Sequence, residues 1–190
     1  MNTLIQHGFG EQSAAQLRVV EAYHAELCRQ HGWLYVCSYE PGDQWRFGLI
    51  LQALGASKAG EKIVSADCDS VILQMVLDEA IDASWDAGLG QVGEWLHAGT
   101  LYLNNTAGAR AYVERCQAAS KHYKEGIPKF FTECIGEAQV KRLGPCWDDW
   151  ILATGENERT SVVRSFHRWR HEKKMAGLQA TVERMVNGDG

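Results

Sequence analysis

The segment 61–73, Glu-Lys-Ile-Val-Ser-Ala-Asp-Cys-Asp-Ser-Val-Ile-Leu, narrows the choice of fold more than any other part of the chain. Ile63, Val64 and Ala66 form a short apolar run without clean alternation. That pattern marks a strand buried on both faces, as in a parallel sheet covered by helices. Asp67 and Asp69 then flank a single residue before Val71, Ile72 and Leu73 resume. In open α/β sheets the ligand crevice lies beyond the carboxyl ends of such strands. Two carboxylates one residue apart at that place can converge on a hard divalent cation, because Mg²⁺ and Mn²⁺ favour oxygen ligands. Acidic pairs after strands also form turns and cap helices, and on these residues alone both uses stay open.

The chain before this segment alternates. Residues 3–10 read as a strand entering a loop with Gly8 and Gly10. Residues 11–30 read as a helix, with Leu17, Val20, Tyr23/His24, Leu27 and Cys28 at helical spacing. Residues 33–39 are rich in aromatic and β-branched side chains, as strands are. After Pro41-Gly42, Asp43 can cap a helix over 44–54, with Trp45, Leu49 and Ala53 on one face. A β-α-β-α-β order implies a parallel sheet with right-handed crossovers.

Beyond residue 73 the pattern predicts a helix over 74–83, a glycine-rich loop over 84–93 and a strand over 95–103. A helix over about 107–124 follows, then the break Gly126-Ile-Pro128 and a helix over 129–140. Residues 143–150 read as a helical start with Asp148 and Asp149 in its first turn. A strand over 161–166 delivers His167 into a basic segment holding Arg168, Arg170, His171, Lys173 and Lys174. Met175, Leu178, Val182 and Met185 repeat at 3-4-3 spacing, a narrow stripe that packs on the core or forms a dimer seam.

Composition sets the outer limits. At 190 residues one domain spanning 1–190 is expected. The net charge of −5 does not support a general nucleic-acid-coating role, with the basic segment near the C-terminus as a local exception. No apolar run approaches the roughly 20 residues of a membrane span. Residues 1–10 lack the basic and long apolar regions of a secretory signal. The six cysteines are scattered without a CxxC pair, which fits reduced core cysteines of a cytoplasmic protein better than disulfides.

Three segments, taken in order, resemble nucleotide-sugar glycosyltransferases of the GT-A (Rossmann-like) fold. The likeness is nearest to the galactosyl/mannosyl transferases of fungal mannan and plant xyloglucan synthesis, and looser to glycogenin-type enzymes. The first segment is Trp45-Arg-Phe-Gly-Leu-Ile-Leu-Gln-Ala-Leu54 followed by Ile63-Val-Ser-Ala-Asp-Cys-Asp69, similar to the family's Trp-x-Lys helix and Asp-x-Asp strand. The second is Trp95-Leu-His-Ala-Gly-Thr-Leu-Tyr-Leu-Asn-Asn-Thr-Ala-Gly-Ala-Arg-Ala-Tyr112, similar to the family's Asn-x-Gly strand and the helix after it. The third is Val163-Arg-Ser-Phe-His167, similar to a late strand ending in a metal-binding His. Arg46 stands where the family usually has Lys, and His97 where it usually has Asn.

The resemblance implies a single α/β domain with a mostly parallel central sheet flanked by helices. It implies a nucleotide-binding half over about 1–73, a half completing the metal and acceptor sites over about 84–174, and a C-terminal helix over about 172–187. The implied activity is metal-dependent transfer of a sugar from a UDP- or GDP-sugar, UDP favoured. Asp67, Asp69 and His167 would hold Mn²⁺ or Mg²⁺. Gln6, His7, Gly8, Trp45, Arg46, Asp67, His97, Gly99, Lys173 and Lys174 would contact the donor. Asp148 and Asp149 would act at the reacting carbon, as general base or by stabilising an oxocarbenium-like centre. The acceptor stays open among a glycan, a small molecule, a protein and a modified DNA base, and the state is a monomer or a homodimer. Two alternatives compete: a GT-A-like binding protein without turnover, and a sugar nucleotidyltransferase of related fold. The second usually carries a basic residue in a glycine-rich loop after the first strand, which Gly8-Phe-Gly10-Glu11 lacks. An NAD-type Rossmann protein is disfavoured because no G-x-G-x-x-G follows that strand.

Overall fold

The computed structural model describes residues 1–40, 43–92, 94–121, 128–147, 149–150, 161–166 and 170–188, with backbone only at 43–45, 92, 128–129, 145 and 149–150. The first five elements are β1 (Thr3–His7), α1 (Gly10–Gln30), β2 (Leu34–Ser38), α2 (Asp43–Ala56) and β3 (Lys62–Asp67). β2 and β3 both run parallel to β1, with Thr3 opposite Leu34 on one side and Ile63 on the other. Alternate side chains leave the strands on opposite faces. Leu4, Val64 and Ala66 pack with Cys28 of α1, whereas Ile5 and Ile63 pack with Phe47, Ile50 and Leu54 of α2. Both faces are dry, which is why these strands carry continuous apolar runs.

The remaining elements are β4 (Ser70–Ile72), β5 (Ala87–Val92), β6 (Trp95–Asn104), α3 (Ala107–Ser120), α4 (Pro128–Glu133), β7 (Val140–Leu143), β8 (Asp149–Trp150), β9 (Val163–Ser165) and α5 (His171–Asn187). The central sheet has the order β2-β1-β3-β6-β5-β7. Within it β6 is antiparallel to both neighbours and the other pairings are parallel. A small second sheet, β4-β9-β8, packs beside it. The α/β class and the mostly parallel sheet flanked by helices are as expected.

Four local expectations are corrected. Residues 74–83 form only a 3₁₀ turn over Leu77–Glu79, which buries Leu77 while Ala80 and Ile81 follow it inward. Residues 84–93 contain strand β5 rather than a loop. Its Gly88 makes room for neighbours, since a Cβ there would stand 2.6 Å from Ile81 Cγ2 and 3.1 Å from Leu143 Cδ1. The helix expected over 129–140 stops at Glu133, where Arg115 donates from Nε to Cys134 O (2.8 Å) and from Nη2 to Ile135 O (2.5 Å). Residues 143–150 hold a 3₁₀ turn over Pro145–Trp147 and then β8, not a helix.

β6 is irregular where it matters. Leu89 pairs with Leu101, but the next residue, Gly90, pairs with His97, so residues 98–100 of β6 bulge between β3 and β5. At the other end of the chain's described part, Leu178 and Val182 of α5 pack with Leu17, Val20, Val71 and Phe166. The stripe on α5 therefore joins the core through α1 and β4. Gly188 closes α5 in the left-handed region at φ 78°. Among the described residues no helix is long and apolar enough to cross a membrane.

Candidate functional site

The chain passes from β1 to β2 through α1 on one face and returns to β3 through α2 on the other. The crevice between β1 and β3 is thus the topological switch point, the place where open α/β sheets bind ligands. A cleft of about 370 Å³ opens there, lined by His7, by Gln12, Ser13 and Gln16 of α1, by Arg46 of α2, by residues 67–69 and by Lys174 of α5. Phe9 stands on its rim, 51% exposed.

The turn from β3 to β4 is held from beneath by a buried polar relay. Gln6 shares the α1 side of the sheet with Leu4, and its Nε2 donates to Asp67 O (3.0 Å) and Ser70 O (3.2 Å). Its Oε1 accepts from Tyr35 Oη (3.0 Å) and from His24 Nδ1 (2.6 Å). His24 Nε2 in turn accepts from the Ile72 backbone N–H (3.0 Å). That donor fixes the neutral Nδ1–H tautomer. Complete burial drives the His24 pKa down to about 3, so the ring stays uncharged. Tyr23 Oη donates to Ile72 O at 2.8 Å and ties the same strand to α1.

The carboxylates above this relay are both ion-paired. Alternation along β3 turns Ser65 and Asp67 toward α2, where Arg46 meets them. Arg46 Nη1 lies 2.5 Å from Asp67 Oδ1, and its Nε donates to Ser65 Oγ at 2.9 Å. Its Nη2 donates to Ser65 O (3.2 Å) and to Ala98 O (2.7 Å), the carbonyl that the β6 bulge presents. Asp69 is 5% exposed, and its backbone O accepts from Phe166 N at 3.0 Å. Lys174 Nζ lies 2.5 Å from Asp69 Oδ2. Cys68, between the two carboxylates, donates to Gln16 Oε1 at 3.3 Å. Burial raises its pKa to about 12, which keeps it a thiol and removes it from nucleophilic roles.

The other sequence-derived candidates fall in several places. Gln6 is fully buried and faces the turn rather than the cleft. Gly8 is buried too, and a Cβ there would stand 2.6 Å from Ser13 O, so the missing side chain admits the first turn of α1 rather than a ligand. His7 lines the cleft, with Nε2 donating to Glu40 O at 2.8 Å. His97 is half-buried on β6, its Nδ1 accepting from Gly99 N at 3.1 Å, and Gly99 is buried in the bulge. Lys173 is exposed beside Lys174. Asp148 and His167, and the side chains of Trp45 and Asp149, lie outside the described residues. The backbone of Asp149 stands opposite Arg164 on β9, whose Ser165 stands opposite Ser70. Sequence reasoning passed over Gln12, Ser13 and Gln16. The signal was there, as polar residues at i, i+1 and i+4 on the first turns of a helix that leaves the sheet's binding end.

The oxygen donors of Asp67 and Asp69 are of the kind a hard divalent cation takes. Among the described residues, however, no third His, Cys, Asp or Glu joins them in a metal-holding group. Each carboxylate also already faces a basic side chain. The arrangement of these residues does not fit a bound divalent ion.

No family model and no curated protein matches the sequence. Solved structures do match by fold. One is a glycosyltransferase involved in glycosylation of the major capsid of PBCV-1, with TM-score 0.73 at 12% identity, covering 94% of this chain and 98% of that one. Another is the glycosyltransferase GlyE of Streptococcus pneumoniae TIGR4, with TM-score 0.61 at 11% identity, covering 99% of this chain and 63% of that one. A third is the galactosyltransferase LgtC in complex with donor and acceptor sugar analogs, with TM-score 0.57 at 11% identity, covering 94% of this chain and 95% of that one. The order of its strands, its mostly parallel sheet and these neighbours together show that the chain has the GT-A glycosyltransferase fold.

Proposed function

We propose that this chain is a glycosyltransferase whose donor is a nucleoside-diphosphate sugar, UDP-sugars favoured, taken into the cleft between β1 and β3. The observation that carries the reading is the pair of ion pairs, Arg46–Asp67 and Lys174–Asp69, set at the switch point of a GT-A sheet. Departure of a diphosphate from a sugar concentrates negative charge on the leaving oxygens. Fixed cations aimed at that place stabilise it without reorganising when the bond breaks. Arg46 is fixed by its bonds to Asp67, Ser65 and Ala98. His7, Gln12, Ser13 and Gln16 offer polar groups to the nucleoside. Trp45, His97, Gly99 and Lys173 complete the proposed donor contacts, and Asp148 and Asp149 are the proposed carboxylates at the reacting carbon. Gln6 and Gly8 are reassigned as positioning residues. A Mn²⁺ or Mg²⁺ ion on Asp67, Asp69 and His167 would supply Lewis-acid charge neutralisation. The present ion pairs oppose that placement.

The test is a calorimetric titration of UDP, GDP, CDP and ADP and of their glucose or mannose conjugates, followed by an assay for slow donor hydrolysis. Binding of one nucleotide class, weakened about tenfold or more in Arg46→Ala by loss of a charge-assisted contact, supports the donor site. Absence of binding by every nucleotide and conjugate at millimolar concentration refutes it.

A further inference from the structure

We infer that Lys174 takes the place of a divalent cation in this cleft, so that the diphosphate of the donor binds to an ammonium carried by the chain itself and needs no metal ion. The inference rests on the donor-site reading and specifies its chemistry.

Three observations carry it. First, the ammonium is already where a cation on Asp69 would sit, with Nζ 2.5 Å from Oδ2 and side chains only 13% and 6% exposed. A metal ion sharing that carboxylate would stand beside the Lys174 ammonium and be repelled by it. Second, among the described residues the charges facing these carboxylates are balanced without a metal. Two carboxylates, Asp67 and Asp69, face two cations, Arg46 and Lys174. A divalent ion added to this set would meet two cations within ion-pair distance of its ligands. An arriving diphosphate would instead find one ammonium with further N–H donors to offer, since an ammonium has three. Third, Lys174 is anchored rather than dangling. It lies in the first turn of α5, its backbone N–H donates to Arg170 O at 2.8 Å, and α5 is locked to α1 through Leu178, Leu17 and Val20.

The two cation assignments predict opposite results for Asp69. UDP, GDP, CDP and ADP are titrated by calorimetry into wild type, Lys174→Met and Asp69→Asn, each in EDTA and in Mn²⁺. Metal replacement by Lys174 gives wild-type affinity equal within about threefold in the two buffers, and a loss of about tenfold or more in Lys174→Met in both. Asp69→Asn, which releases Lys174 from its partner, keeps or tightens nucleotide binding in EDTA. Binding that requires Mn²⁺ overturns the inference while leaving the donor site standing, as does loss of binding in Asp69→Asn with none in Lys174→Met. No binding of any nucleotide in either buffer overturns the donor site and the inference together. Lys174→Met leaves Asp69 buried without its cation, so the double variant Asp69→Asn/Lys174→Met is measured beside it and both are checked by thermal melting. In the double variant, binding in EDTA falls about tenfold below Asp69→Asn, and unchanged binding overturns the inference.

Discussion

Replacing His24 by Gln tests the relay that shapes the cleft floor. The imidazole is fully buried, donates from Nδ1 to Gln6 Oε1 and accepts at Nε2 from Ile72 N, with its pKa at about 3. In the unfolded chain a His titrates near its ordinary value of about 6.5. Between those values the unfolded state binds a proton that the folded state refuses. The stability is therefore complete above about pH 6.5 and declines as pH falls toward about 3, by about 1.4 kcal/mol per pH unit. At about pH 5 the loss from this one group comes to about 2 kcal/mol. Gln offers a donor and an acceptor of similar reach and does not titrate. Urea denaturation followed by tryptophan fluorescence at about pH 7.5 and about pH 5 gives four stabilities. The other titrating groups act on both proteins and cancel in the difference. Wild type is expected to lose about 2 kcal/mol more than His24→Gln over that interval, although the variant starts about 1–3 kcal/mol less stable through imperfect hydrogen bonds. Equal pH sensitivity in the two proteins would refute the claim that His24 is held neutral by the fold.

Three further substitutions probe separate supports. Gly8→Ala drives a Cβ to 2.6 Å from Ser13 O, so it should shift α1 away from β1, cost about 1–3 kcal/mol in urea denaturation and weaken nucleotide binding together. Thr106→Ala removes the hydroxyl that accepts from Ala109 N at 3.0 Å and donates to Asp86, and should lower stability by about 1 kcal/mol, read as a lower melting temperature. Arg46→Lys keeps the charge near Asp67 but cannot also reach Ser65 and Ala98. A loss of nucleotide affinity close to that of Arg46→Ala is therefore expected, and calorimetry would show it.

What was legible in the sequence depended on whether burial followed a simple period. β1, β2, β3 and the two helices between them announced themselves because Leu4, Ile5, Ile63 and Val64 fill both faces of a sheet. β5 did not, because Ala87-Gly-Leu-Gly90 looks like a loop until Ile81 and Leu143 are seen crowding the site of a Cβ on Gly88. Val76, Leu77 and Ala80 matched a helical stripe, yet a single 3₁₀ turn suffices to bury Leu77 and Ala80. At the site, Arg46, Asp67, Asp69 and Lys174 were each readable as residues. Their pairing was not, because Lys174 and Asp69 are 105 residues apart and only the docking of α5 on α1 brings them together. Gln6 could have been assigned inward from its place two residues after Leu4. The polar match for it, His24, lay on the otherwise apolar stripe of α1.

The reach of the Asp69–Lys174 pair has a consequence for how the protein is made. The ribosome completes Asp69 well before its ammonium, and at about 5–20 residues per second the interval is about 5–20 s. During that time the nascent chain holds every strand of the β2-β1-β3 half, with the turn braced by Gln6, His24 and Tyr35. It lacks Phe166, which pins the Asp69 carbonyl, and α5, which brings Lys174. A chain arrested before residue 161 would therefore own a sheet but no finished cleft. The proposed diphosphate cleft is complete only once α5 has docked on α1.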